Sequence, residues 1–269
     1  MSGIAVWWDE AADGPTNMAA DECLAAESLR RGSVVIRLYR WVSTTVSLGA
    51  FQRIAEARGC EAIADLPVVR RPSGGGAIVH GTDVTYAAAV PKSHPWGTMP
   101  QALYDAMHGA MAEVLRRRGV AARLVAEPRS REPAGPAAES EPFFCFHRRS
   151  VGDLVVDTTP GASGATDLKL MGSAQRRLAA AVLQHGSLLL SRNRDIGPQG
   201  SQPGLADLAG GTWAGGDGWQ DAVHEWLHRV AASLGLRLHG HPTSFLASDP
   251  PGLPENREKF AAERWTSRR

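Results

Sequence analysis

Residues 68–90 read VVRRPSGGGAIVHGTDVTYAAAV. Two β-rich runs, Val68–Arg70 and Ala77–His80, flank Pro72 and three consecutive glycines, Gly74, Gly75 and Gly76, and a third run, Val84–Val90, follows the Gly81–Asp83 turn. Short runs set apart by Gly, Pro, Ser and Asp read as strands of a sheet. Upstream the pattern continues in Val34–Tyr39 and Thr45–Leu48. Before them a helix is expected over Asn17–Arg31, with Asn17 as its cap, Met18, Leu24 and Leu29 at helical spacing, and Gly32 as its stop.

Downstream, Met99–Arg118 returns to helical period through Leu103, Met107, Met111, Val114 and Leu115, with Gly119 ending it. Glu127–Pro142, rich in Pro, Ala, Glu and Ser, reads as an exposed loop. Val151–Val156, Leu168–Met171 and Leu183–Leu190 read as further strands, and Asn193–Gly218 as a second loop-rich stretch. Trp219–Leu234 reads as a helix that ends the regular structure. The charged tail, with Phe260 and Trp265 at near-helical spacing, reads as a segment docked on its own domain. Strands and helices do not alternate one for one, so the expected class is α+β: a mixed, largely antiparallel sheet with flanking helices. The chain is read as one unit over 1–269, its core spanning about 17–234 and its tail 235–269. Neither GxGxxG after a strand nor GxxxxGK[ST] occurs, which disfavours a dinucleotide-binding fold.

Composition narrows the function. The 29 basic and 28 acidic side chains nearly cancel, which argues against a nucleic-acid partner held by a basic surface. The three cysteines, Cys23, Cys60 and Cys145, are widely spaced, odd in number and form no CxxC pair, so neither a disulfide framework nor a zinc site is expected. No apolar run approaches the ~20 residues that span a bilayer. Met1–Pro15 carries Asp9, Glu10 and Asp13 rather than the basic-then-apolar order of a signal peptide. A cytoplasmic protein with no membrane partner is the expectation.

Three segments carry candidate chemistry. In the first, Gly74–Gly76 permit positive φ and close backbone approach, and Arg71 offers a permanent charge to a phosphate or carboxylate; the same glycines also suit a plain hairpin turn. In the second, PFFCFHRR, Cys145 is either a small buried hydrophobe or a thiolate favoured by His147, Arg148 and Arg149. In the third, KLMGSAQ, Lys169 is either solvated or set beside the close-approach residues Gly172, Ser173 and Ala174. His80 and His185, within β-rich runs, read as core histidines bonded to backbone in preference to acid/base groups.

Taken together, NMAADECLA (Asn17–Ala25), LYRWVSTTVSLGAFQ (Leu38–Gln52), RRPSGGGAIVH (Arg70–His80), KLMGSAQRR (Lys169–Arg177) and LQHGSLLL (Leu183–Leu190) resemble the lipoate-protein ligase A and octanoyltransferase family. The resemblance implies the fold of biotin protein ligases and class II aminoacyl-tRNA synthetases, with an acyl-chain tunnel. Two chemistries occur in that family. A ligase activates lipoate with ATP and Mg2+ to an acyl-adenylate; a transferase takes octanoate from acyl carrier protein onto a cysteine and needs no cofactor. Both deliver to a lysine of a lipoyl domain or of glycine-cleavage H protein.

By this resemblance Cys145 is the catalytic cysteine and Lys169 the lysine that activates it. The acyl or adenylate site is implied at Arg71, Ser73, Gly74, Gly75, Gly76, Ala77, Ile78, Val79 and His80, together with Gly172, Ser173, Ala174, His185 and Gly186; no metal ligand is implied. His80-Gly81 stands where many members have His-Asp, with Asp83 two positions on. No ligase-type C-terminal domain fits after Leu234. The leading expectation is therefore an octanoyltransferase, ahead of an ATP-dependent lipoate ligase and of a non-catalytic lipoyl-domain-binding module.

Overall fold

The computed structural model describes residues 3–127, 142–157, 167–197, 201–208 and 218–268. In chain order the elements are β1 (Gly3–Trp8), α1 (Gly14–Arg31), β2 (Val35–Tyr39), β3 (Thr45–Leu48), α2 (Ile54–Arg58), β4 (Val68–Arg70), β5 (Ile78–His80), β6 (Asp83–Pro91), α3 (Pro95–Thr98) and α4 (Pro100–Arg117). They continue as β7 (Ala122–Leu124), β8 (Leu154–Asp157), β9 (Asp167–Arg177), β10 (Ala181–Leu189), α5 (Leu205–Leu208), α6 (Gly218–Ser233), β11 (Arg237–Gly240), α7 (Leu253–Ala261) and α8 (Glu263–Thr266), with a 3-10 turn at Cys145–His147. The eight-stranded sheet has the order β11-β1-β2-β6-β10-β9-β8-β7, and a three-stranded sheet has the order β4-β3-β5. Among the described strands, only β11/β1, β1/β2 and β3/β4 pair in parallel. This is the α+β, largely antiparallel arrangement that the pattern of short strands implies.

Alternation along the central strands explains the two layers of helix. Val84, Tyr86, Ala88 and Val90 of β6 face a core completed by Leu103, Met107 and Met111 of α4 and by Val223, Trp226 and Val230 of α6. Ala87 and Ala89 face the opposite side, where Met18, Ala20 and Leu24 of α1 meet Phe245 and Phe260 from the C-terminal segment. The odd positions of β10 share that second face, which brings His185 and Ser187 under α1.

Four expectations need correction. Helix α1 begins at Gly14 and is capped by Asp13, whose carboxylate accepts from Thr16 N at 2.8 Å, with Pro15 in its first turn. Asn17, inside the helix and fully buried, instead ties Ala12 O, Arg40 O and Arg37 together. The regular structure does not end at Leu234: β11 adds to β1, and α7 packs on α1. Strand β9 runs through Gly172–Ala174, well beyond Met171. The tail does dock on its own chain, with Phe260 buried and Arg70 donating to Thr266 O at 2.6 and 2.9 Å. Most of the Glu127–Pro142 loop, residues 158–166 of the turn before β9, and Trp213 lie outside the described residues, and α5 falls within the expected Asn193–Gly218 loop. No helix among the described residues is long and apolar enough to cross a membrane.

Candidate active site

The glycine run builds its close approach against the chain itself. A Cβ at Gly76 would lie 2.7 Å from Cys145 N and 2.9 Å from both Cys145 Cα and Phe143 O, a separation that real Cβ atoms do not show. Gly75 has φ 92°, and its carbonyl oxygen would be 2.0 Å from a Cβ on Gly49. The segment is thus both a turn and a cradle. Ala77 N donates to Phe143 O at 2.9 Å and Cys145 N to Ala77 O at 2.8 Å, while Gln52 Nε2 also donates to Phe143 O. The turn carrying Cys145 is thereby fastened to the start of β5.

Hairpin β8–β9 brings Lys169 to this turn from 24 residues away. Its Nζ stands 3.6 Å from Cys145 Sγ and 3.4 Å from Cys145 O. Lys169 is not solvated: it is buried and ion-paired with Asp153 at 2.8 Å. Asp153, itself buried, also accepts from Tyr104 Oη at 2.8 Å and from Ser150 N at 2.7 Å. Gly172 is required here, since its Cβ would fall 2.3 Å from Lys169 Cε. The cations next to Cys145 in sequence point elsewhere. Arg149 pairs with Asp167, and burial first, then Arg149, lowers the pKa of His147. The cysteine is free and half-buried.

Beside the cysteine lies a cavity enclosing about 420 Å³ of atom-free space, its mouth included. Met18, Tyr39, Trp41 and Ile78 give it carbon walls, and Cys145, Arg71 and His185 give it chemistry. Arg71 is buried, donating to Ser47 O and Oγ at 2.6 Å and to Gly74 O and Gly76 O at 3.2 and 2.8 Å. All of these acceptors are neutral. Burial pushes the guanidinium down to about 10, and the Cys145 sulfur acts in the opposite sense. An anion in this cavity would meet a charge that burial has left poorly compensated.

The two histidines are held by side chains rather than by backbone. His80 Nδ1 donates to Asp83 at 2.8 Å, its Nε2 meets Ser47 Oγ at 2.7 Å, and the Trp41 ring stacks on it at 4.0 Å. Burial alone would raise Asp83, but His80 and hydrogen bonds from Ser187 and Gly81 hold it at about 2. Asp83 thus supplies the carboxylate partner that Gly81 cannot. His185 bonds Ser73 through Nε2 and faces Asp21 at 3.4 Å through Nδ1.

Ser173 bonds His108 Nε2 at 2.6 Å; burial drives His108 down to about 4, so this ring is a neutral acceptor near pH 7. Gly186, Ala174 and Gly172 line the cavity with Ser173. A Cβ on Gly186 would strike Ser173 Oγ at 2.2 Å. Ala77 and Val79 lie apart from these, on a second cavity, and Gly74 packs only loosely on Phe51. Sequence reasoning missed Asp21, Asp153, His108, Tyr104 and Trp41. Asp21 and Trp41 lie in quoted blocks, whereas Asp153, His108 and Tyr104 belong to no motif.

The catalytic-domain model of lipoyl protein ligases A and B matches residues 13–196. The chain belongs to that family. Family relatives include octanoyltransferase LipM of Staphylococcus epidermidis, 33% identical over an alignment of 180 positions that covers 64% of this chain and 60% of that protein. The match therefore spans about three fifths of that relative's length. Octanoyltransferase LipM of Kyrpidia tusciae is 30% identical over an alignment of 280 positions that covers 94% of each chain. Two solved structures share the fold. Protein Ta0514 of T. acidophilum with bound lipoic acid superposes with a TM-score of 0.67 at 17% identity, covering 99% of this chain and 100% of that one. A lipoate-protein ligase A bound with ATP gives 0.65 at 19% identity, covering 99% of both.

Proposed function

We propose that the chain is an octanoyltransferase that carries the acyl group on Cys145. The observation that carries this reading is Lys169 Nζ at 3.6 Å from Cys145 Sγ, on the wall of an apolar cavity. The names of the family relatives support it. The Cys145 sulfur, as thiolate, adds to the carbonyl carbon of an octanoyl thioester on acyl carrier protein. The new S–C bond forms, the donor C–S bond breaks, and the donor thiol leaves with the proton that Cys145 gave up. The ε-amine of a lysine, on a lipoyl domain or on glycine-cleavage H protein, then attacks the Cys145 thioester. An amide forms, and the amine proton returns to sulfur.

Charge decides the division of labour. The Cys145 amide already donates to Ala77 O, so it has no hydrogen left for an oxyanion. Stabilisation of the negative oxygen falls to the cations Lys169 and Arg71, acting in a buried site. Removing methylenes from water is worth roughly 0.8 kcal/mol each, or about 5 kcal/mol for the six of an octanoyl tail. That gain accounts for carbon walls around a site whose chemistry is polar.

Intact mass spectrometry after incubation with octanoyl carrier protein and no ATP tests the reading. Wild type should gain one octanoyl group and Cys145→Ser none. Acylation of Cys145→Ser would refute Cys145 as the carrier, and no gain in either chain together with lipoate-dependent pyrophosphate release from ATP would replace the reading with the ligase, which needs ATP and Mg2+. A lipoyl domain bound but never acylated would replace it with the binding module.

A further inference from the structure

Cys145 lines one cavity, and its chain neighbours line a second. The second takes in about 370 Å³ of atom-free space, its open mouth included, and is bounded by Phe144, Phe146 and His147, the chain neighbours of Cys145; Ile78 belongs to both. The walls differ in kind. The first cavity is mostly carbon, whereas the far side of the second is formed by Thr82, Ser191, Asn193, Ser201 and Gln202.

Most of that polar wall is already satisfied. Thr82 donates to Ser191 O at 2.8 Å, Ser201 to Asn193 O at 2.6 Å, and Asn193 Nδ2 to Thr44 Oγ1 at 3.2 Å. Gln202 Oε1 is the exception, buried with no hydrogen-bond partner among the described residues. A buried acceptor without a donor costs roughly 1–3 kcal/mol, so a ligand N–H there would be well received. The near wall adds a second feature. Among the described residues, strand β5 pairs only with β3, and beyond an isolated bridge between Ala77, just before it, and Phe144, no strand covers its outer side. Such an edge suits an extended chain of amides.

A thioester under attack by Cys145 has two substituents diverging from one carbonyl carbon: the acyl chain and the arm of the leaving thiol. Two neighbouring cavities, one lined by Cys145 and the other by its chain neighbours Phe144, Phe146 and His147, match that geometry, and the carbon-walled one suits the acyl chain. We propose that the second cavity receives the amide-bearing thiol arm of the acyl donor, with Gln202 Oε1 accepting an arm N–H and the β5 edge lying along it. This rests on the transferase reading, and it adds that the donor is selected by its arm as well as by its acyl group.

The test measures second-order rates of Cys145 octanoylation by intact mass with two donors, octanoyl pantetheine and the octanoyl thioester of ethanethiol, which lacks the amide arm. Wild type should prefer the pantetheine donor by about tenfold or more. Gln202→Leu should reduce that preference roughly 3- to 10-fold, the worth of one hydrogen bond. Val79→Phe, which fills the cavity from β5, should reduce it as well, so the result does not hang on one variant's folding. Equal wild-type rates for the two donors, or a wild-type preference kept in both variants, would overturn the proposal. No acylation by either donor would overturn the transferase reading beneath it.

Discussion

Replacing Asp153 by asparagine keeps the shape of the side chain and leaves an amide oxygen for Tyr104 and Ser150, but it removes the negative partner of Lys169. Lys169 and Asp153 are 3% and 1% exposed and 2.8 Å apart, so water cannot take over the role of the carboxylate. Breaking a buried pair on one side costs about 3–5 kcal/mol, because the remaining charge is left uncompensated. For a chain of this size that lowers Tm by on the order of 10 °C. Calorimetry of wild type, Asp153→Asn and the double variant Lys169→Met/Asp153→Asn, which keeps an acceptor for Tyr104 and Ser150, separates the pair from its packing. The double variant removes both charges and should recover most of the lost stability, while Cys145 acylation falls in both variants. Asp153→Asn melting within 2 °C of wild type, with undiminished acylation, would refute the claim that Asp153 holds the ammonium at the cysteine.

Two further outcomes follow from the geometry. Gly76→Ala places a methyl 2.7 Å from Cys145 N, so the cysteine turn must shift; overpacking of this kind costs about 1–3 kcal/mol. Octanoylation of Cys145 should drop at least tenfold, as read by mass spectrometry. Asp83 is held at about 2 in the folded chain, against an ordinary 3.8. Its contribution, roughly 2 kcal/mol, is therefore present above pH 5 and lost as pH falls towards 2. Asp83→Asn should flatten that part of the stability-against-pH curve, measured by urea unfolding.

How much of this was legible depends on range. The runs Thr45–Leu48 and Val68–Arg70 are strands with the boundaries that the turn residues dictate, and α4 differs from its expected span by a single residue at either end. Strand β1 escaped because Ile4–Trp7 is buried on both faces between two parallel neighbours, so it shows no alternation. The cap of α1 was misplaced because Asn17 is a strong capping residue, yet Pro15 already fixes the first turn three residues after Ala12. Strand β11 is short and largely exposed, and only its register with β1 makes it a strand.

In the site, Cys145 and Lys169 stood out by their local surroundings and by resemblance. Asp153 did not, because the property that matters is its contact across the β8–β9 hairpin. The same holds for Asp21, which meets His185 across 164 residues. The basic residues following Cys145 misled for the converse reason: adjacent to it in sequence, Arg149 is turned in space onto Asp167 and not onto sulfur.

The most direct test of the account is a chase. Protein octanoylated on Cys145 is freed of donor, mixed with an apo lipoyl domain without ATP, and both chains are weighed over time. The account predicts that one octanoyl group leaves Cys145 as one appears on a single lysine of the domain, at matching rates. An acyl group that stays on Cys145 while the domain is acylated, or a domain acylated only when ATP is added, would contradict it.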